Sequence, residues 1–284
     1  MVLDKYSAVW ISHSSISDFI ACPKAYFYAN VYKNPRSGKK ITIMNSALAL
    51  GQAVHEVLDR LSDLPVDQRF SKPLEDVFKS VWELVSGKKG GFINAEEEKD
   101  FYDRGILMMQ NVTQHPGILL NKAVKLPMDL PNFWLSETEG IILCGKIDWI
   151  EYFPETDSIH IIDFKTGKRD EKEDSLQLPI YYLLVSQCQK RKVEKMSFWY
   201  LDRDIEPKKI SMPNAEKAKA EIMKIAVRIK LARQLNHFKC SKDDKFGCRN
   251  CAPYEAIIKG RGEFVGTNMY DREVYILPEE AKSL

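Results

Sequence analysis

Asp148, Asp163 and Lys165 are three polar residues set where an apolar side chain would be expected. They lie in GKIDWIEYFPETDSIHIIDFKTGK, from Gly145 to Lys168, where both aspartates interrupt apolar, strand-like runs. Side chains alternate along a strand, so Asp163 and Lys165 share one side. The PETD turn folds the Asp148 run back antiparallel, and a suitable register brings the two carboxylates together. Buried carboxylates that close repel each other and are costly to desolvate. A divalent cation relieves both problems, and hard oxygen ligands suit Mg²⁺ or Mn²⁺. A lysine beside such an ion can orient water or stabilise charge developing on a phosphate. Asp-x-Lys alone also fits a strand-end turn residue followed by a lysine whose stem lies along the surface.

Thiols form a second group of candidates. Cys248 and Cys251 make a Cys-x-x-Cys pair in FKCSKDDKFGCRNCAPYEAI, and Cys240 lies eight residues upstream of Cys248. In a reducing compartment this spacing suggests metal ligation. Three thiolates leave a tetrahedral site one ligand short, and Cys22 can supply the fourth. Cys144 and Cys188 sit in apolar segments and read as small core residues. Asp243, Asp244 and Lys245 read as a solvated loop.

The elements that must hold these residues follow from periodicity. WISHSSISDFIACPKAYFYANVY reads as a helix capped by Ser15 or Ser17, and TIMNSALALGQAVHEVLDRLSDL as a helix through Leu48, Val54, Leu58 and Leu61. A helical insert is expected over about 62–120, broken by GKKGG. AVKLPMDL, FWLSE, IILCGKIDWIEYF and SIHIIDFKT read as strands. DSLQLPIYYLLVSQCQK then reads as a helix, KMSFWYLD as a strand, and NAEKAKAEIMKIAVRIKLARQLNHF as a long charged helix. This order predicts an α/β fold with a mixed central sheet flanked by helices. It is read as a single domain over 1–284, with a cysteine-containing C-terminal segment from about 236.

Composition narrows the function classes. Hydrophobic content of 44% and charged content of 29% suit a chain with an ordinary buried core. A net charge of +2 means that any basic surface for nucleic acid must come from local clustering. No apolar run approaches the length of a membrane span. MVLDKYSAVWISHSS lacks a charged-then-apolar leader pattern, so a cytoplasmic location is expected.

Five motifs, in one order, resemble the RecB-like nucleases of the PD-(D/E)XK superfamily. SISDFIACPKAYFY resembles the N-terminal segment ending in Cys-Pro-x-x-Phe/Tyr, and GQAVHEVL the Gly-x-x-x-His helix. GKIDWI resembles the Gly-x-Ile-Asp strand. IIDFKTGK resembles the Asp-Tyr-Lys-Thr-Gly-Lys strand, with Phe164 in place of tyrosine, and QLPIYYLL the Gln-x-x-x-Tyr helix. The resemblance implies a restriction-endonuclease-like core. It implies His55, Asp148, Asp163 and the backbone carbonyl of Phe164 as ligands for Mg²⁺ or Mn²⁺, with Lys165 as the catalytic lysine. Gln177 and Tyr181 would line the site and contact DNA or position Lys165; their i, i+4 spacing puts them on one helix face. Tyr181 also fits an ordinary core tyrosine, and His55 a satisfied helical histidine.

Relatives in that family include phage-type exonucleases, the AddB nuclease domain and CRISPR-associated adaptation nucleases. The resemblance implies a DNA exonuclease acting on ends or single strands, in recombination, repair or phage or CRISPR DNA processing. No Walker A pattern occurs, so a helicase, recombinase or adaptation complex would be a separate partner. Many members also carry one N-terminal and three C-terminal cysteines that bind a [4Fe-4S] cluster. This chain departs from their spacing: Ile257 stands where the last cysteine is usual, and Cys240 lies upstream instead. A [4Fe-4S] cluster, Zn²⁺ and unligated thiols all remain open for Cys22, Cys240, Cys248 and Cys251. Two other functions fit the same motifs: a catalytically inactive cysteine-metal DNA-binding or scaffold protein, and a restriction-type endonuclease.

Overall fold

Chain order explains most of the architecture. The computed structural model describes residues 4–240, 242 and 247–278, so the Asp243–Lys245 loop lies outside the described residues. Strand β1 (Val9–Ile11) leads into helix α1 (His13–Ala21) and the short α2 (Pro23–Tyr26), which Pro23 opens with its preset φ. Ser15 and Ser17 fall inside α1, which begins earlier than the expected cap. After β2 (Ile41–Ile43) come α3 (Ser46–Ser62), α4 (Leu74–Trp82) and α5 (Ala95–Gln114). Then follow β3 (Asn132–Ser136), β4 (Ile141–Cys144), β5 (Trp149–Phe153) and β6 (Ser158–Lys165). The chain continues through α6 (Gln177–Cys188), β7 (Lys192–Tyr200), β8 (Lys208–Lys209) and α7 (Ala215–Gln234). It closes with α8 (Ala252–Ile258), β9 (Glu263–Thr267) and β10 (Glu273–Ile276). No helix among the described residues is long and apolar enough to cross a membrane.

Two strand expectations are corrected. AVKLPMDL contributes only an isolated bridge from Ala123 to Glu151, because Pro127 and the following Pro131 cannot donate to a ladder. IILCGKIDWIEYF is two strands. The chain leaves β4 at Cys144 and enters β5 at Trp149, which places Asp148 in the bend just before its strand.

The chain divides into two compact units. The first holds the residues up to Ser12 with Leu50–Leu84 and Asp100–Lys224; the second holds His13–Ala49, Val85–Lys99 and the described residues from Ile225 onward. In the first unit, β5-β6-β7-β8 form a mixed sheet: β5 and β8 are antiparallel to their neighbours, while β6 and β7 run parallel. A parallel pair needs a crossover, and α6 supplies it. Strand β6 is flanked on both sides and buried along seven of its eight residues, the polar Ser158, His160 and Asp163 among them. A second sheet, β1-β4-β3, lies in the same unit.

Arg69 fastens the end of α3 to the connection that follows α5. Its guanidinium is buried and donates to the carbonyls of Leu61 (3.1 Å), Leu119 (2.6 Å) and Asn121 (2.7 Å), with its face over the Trp149 ring. Buried donors need such acceptors, and carbonyls satisfy several at once. The second unit contains a three-stranded sheet, β2-β10-β9, which the sequence reading did not anticipate. Its strands are short and carry polar residues such as Glu273, so neither length nor alternation marks them.

Helix α5 depends on one glycine. A Cβ on Gly105 would stand 2.1 Å from Phe78 Cζ of α4, far inside van der Waals contact. Gly105→Val is therefore expected to overpack this contact and cost about 1–3 kcal/mol. Denaturant unfolding checks it, and an unchanged midpoint would show that the ring moves aside freely.

Candidate active site and thiol cluster

The pairing of β5 with β6 builds the first site. Trp149 is opposite Ile162, so the next pair outward sets Asp148 opposite Asp163. Asp148 Oδ2 accepts a hydrogen bond from the Phe164 N–H at 2.9 Å, which fixes its carboxylate at the strand end. The N–H and C=O of one strand residue face the same neighbour, so the Phe164 carbonyl points to that side too. From α3, His55 Nδ1 lies 3.2 Å from Asp148 Oδ1. A small cleft of about 50 Å³ is lined by His55, Asp59, Lys146, Asp148 and Phe164. Asp59 and Lys146, paired at 2.8 Å, were not among the expected site residues. The spacing of Asp59, one helical turn after His55, could have revealed it.

Lys165 occupies the other side of Asp163. Its Nζ lies 2.9 Å from Asp163 Oδ2 and 3.0 Å from Glu171 Oε2, donates to Gln177 Oε1, and sits over the Phe198 ring. Gln177, the first residue of α6, turns its Nε2 to Asp163 Oδ1 (2.6 Å) and to the Tyr181 hydroxyl (3.3 Å). The amide thus presents oxygen to the cation and nitrogen to the carboxylate. Tyr181 is at once a buried core side chain and a neighbour of the site. Glu171 escaped the sequence reading because it stands in the irregular loop after β6, where no periodicity points to a face.

Electrostatics follow from burial. Asp163 is 1% exposed. Burial, and then the Asp148 charge, push it from 3.8 up to about 7 against the opposing pull of Lys165 and His55. Asp163 Oδ2 makes an ion pair with Lys165 but no directed hydrogen bond. Burial pulls Lys165 down, but the Asp163 and Glu171 carboxylates outweigh it and leave the lysine raised. His55 behaves alike: burial pulls it down, and Asp148 more than offsets that. Burial, followed by the charges of Asp163 and Asp148, holds the Tyr181 phenol well above its usual range.

The donor set of one imidazole, two carboxylates and a strand-end carbonyl suits a hard divalent cation, and such a charge would relieve the repulsion stored at Asp163. The three side chains are not drawn into one tight shell. Among the described residues, the one group of three or more possible ligands lying mutually within 4.8 Å is Cys22, Cys240, Cys248 and Cys251. Asp163 faces Lys165, while Asp148 faces His55.

The thiol cluster lies in the second unit. Cys22 precedes α2 and Cys251 precedes α8; both are fully buried, Cys248 is nearly so, and Cys240 is partly exposed. The Cys248–Cys251 turn is closed by the Cys251 and Ala252 N–H groups, which donate to the Cys248 carbonyl at 3.0 and 2.9 Å. Burial pushes Cys22 and Cys251 up. Burial also raises Cys248, but the Asn250 and Cys251 N–H groups outweigh it and bring this thiol to about 6. Gly247 has φ +71°, and a Cβ there would stand 2.7 Å from Cys251 Sγ. Cys144 is buried in the first unit, where burial raises its thiol to about 11, while Cys188 is partly exposed.

A family model described as the PD-(D/E)XK nuclease superfamily matches residues 10–256. No curated protein matches the chain.

Asp163 makes stability depend on pH. Its folded-state pKa lies above the unfolded value, so the folded protein binds the extra proton and loses stability as pH rises from about 4 to about 7. In metal-free protein, Asp163→Asn should melt higher than the parent above pH 7, with the difference vanishing near pH 4. Melting curves across that range in chelator check it, and a pH-independent difference would contradict the assignment.

Proposed function

The chain belongs to the PD-(D/E)XK nuclease superfamily, and on that premise we propose that it is a RecB-like, metal-dependent DNA exonuclease acting on ends or single strands. The observation that carries this reading is Asp148 opposite Asp163 at the end of a buried strand pair, with Lys165 on the same face as Asp163. The family match spans both units, which supports reading them as parts of one nuclease domain.

In this reading His55, Asp148, Asp163 and the Phe164 carbonyl would hold Mg²⁺ or Mn²⁺. When bound, such an ion supplies Lewis acidity toward a phosphodiester and lowers the pKa of water. Holding an ion would require Asp163 to give up its contact with Lys165. Lys165 stays anchored by Glu171 and Gln177, its ammonium free to face a phosphoryl oxygen that gains charge in the transition state. Gln177 keeps the lysine and the carboxylate in register, and the Tyr181 hydroxyl braces Gln177 from the core. Glu171 joins the expected residues as a positioning group.

The four cysteines form a metal centre, for which the family resemblance offers a [4Fe-4S] cluster and their chemistry also offers zinc. DNA is the substrate. A helicase, recombinase or adaptation complex is the kind of partner that RecB-like relatives imply.

A digestion assay and two substitutions test this reading. End-labelled linear DNA should be degraded in Mn²⁺ or Mg²⁺ while covalently closed circles survive; cutting of circles would place the protein with the endonucleases. Asp163→Ala should abolish cleavage. Lys165→Ala should reduce kcat by orders of magnitude while retaining metal affinity and most DNA affinity, because its role is confined to the transition state. A collapse of metal affinity in Lys165→Ala would make the lysine structural.

A further inference from the structure

We propose that Cys22, Cys240, Cys248 and Cys251 hold a single tetrahedral zinc ion rather than a four-iron cluster. The inference rests on reading these thiols as one metal centre, and their spacing decides which. Sulfurs bound about 2.3 Å from a central zinc stand about 3.8 Å from one another, along the edges of the tetrahedron they outline. Cys248 Sγ lies 3.8 Å from Cys251 Sγ, and Cys251 Sγ lies 3.7 Å from Cys240 Sγ. All four sulfurs fall within 4.8 Å of one another. In a four-iron cube each thiolate binds a different iron, so the ligand sulfurs outline a tetrahedron enlarged by the cube itself. The space among these sulfurs matches one ion.

The surroundings oppose expansion. Cys22, Cys248 and Cys251 are packed with Ala25 in one buried cluster. The backbone at Gly247 closes over Cys251 Sγ so tightly that even a methyl group would intrude. Cys22 and Cys251 sit at the starts of helices, and the Cys248–Cys251 turn is locked by its own hydrogen bonds. Spreading the sulfurs to cube dimensions would require these helix starts to separate. The electronic setting suits a zinc tetrathiolate. Binding zinc converts four thiols to thiolates and releases their protons, leaving two net negative charges. The Cys248 N–H donates to Cys251 Sγ at 3.3 Å.

The test is metal content, which is independent of cleavage. Full-length protein is produced with iron and zinc both supplied, purified anaerobically, and assayed for zinc, iron and acid-labile sulfide. One zinc per chain without sulfide, in colourless protein, is expected. Exchange with Co²⁺ should give the intense visible bands of a tetrahedral thiolate site. Cys240→Ser should lower zinc content severalfold, and Cys188→Ser should retain it; should Cys240→Ser fail to fold, the cobalt spectrum of the parent protein still decides. Brown protein with iron and inorganic sulfide overturns the proposal, as does mononuclear iron, or metal-free protein whose melting temperature a chelator leaves unchanged. Zinc-loaded protein that cuts no DNA in Mg²⁺ or Mn²⁺ would leave the zinc site standing and remove the nuclease reading alone.

Discussion

Two carboxylates at opposed positions of an antiparallel strand pair set the terms for everything around them. The pairing of β5 with β6 makes Asp148 the partner of Asp163, and a slip by one residue would turn Asp163 and Lys165 to the opposite face. Register is therefore fixed twice. Core residues such as Ile161 and Ile162 pin it from inside, and the Phe164 N–H grips Asp148 at the rim. The hydrophobic packing that makes the strand stable also makes its terminal charge expensive, an expense that a bound cation would relieve.

Lys165 shows how the rest of the first unit adapts to this constraint. Its ammonium has three donors and three oxygen neighbours, one each from its own strand, the loop after it and the start of α6. Because α6 is the crossover between two parallel strands, its first turn necessarily lies near the carboxyl end of β6. The position of Gln177 is thus a consequence of topology, and the neutral amide can bridge lysine and carboxylate without adding another charge. Loss of one oxygen partner leaves the lysine two others, so the site can exchange contacts without freeing the cation to wander.

Much of this was readable in advance, for identifiable reasons. Strand β6 announces itself because it is buried on both faces, and the PETD turn joins it to β5 with no intervening structure. His55, Gln177 and Tyr181 were pointed to by the Gly-x-x-x-His and Gln-x-x-x-Tyr motifs of the resemblance, and these residues lie on α3 and α6. The family match over residues 10–256 agrees with the superfamily those motifs suggested. What stayed hidden depends on contacts between distant segments. Glu171 has meaning only once Lys165 reaches it. Lys146 matters only because the connection between β4 and β5 brings it beside Asp59. The β2-β10-β9 sheet joins segments more than two hundred residues apart in the chain, with strands too short to show a period. The two prolines of AVKLPMDLP were visible from the start and outweigh its apolar character.

Arg69 carries a consequence for behaviour in concentrated electrolyte. Its positive charge is held by backbone carbonyl dipoles and an indole face inside the protein, not by a mobile counter-charge at the surface. Dissolved ions screen exposed pairs such as Lys125–Asp63, whose members both reach solvent, but penetrate little to a buried cation embedded in fixed dipoles. The junction between the end of α3 and the segment after α5 is thereby insulated from ionic strength. As salt rises, the surface ion pairs of this unit fade while this internal fastening keeps its strength.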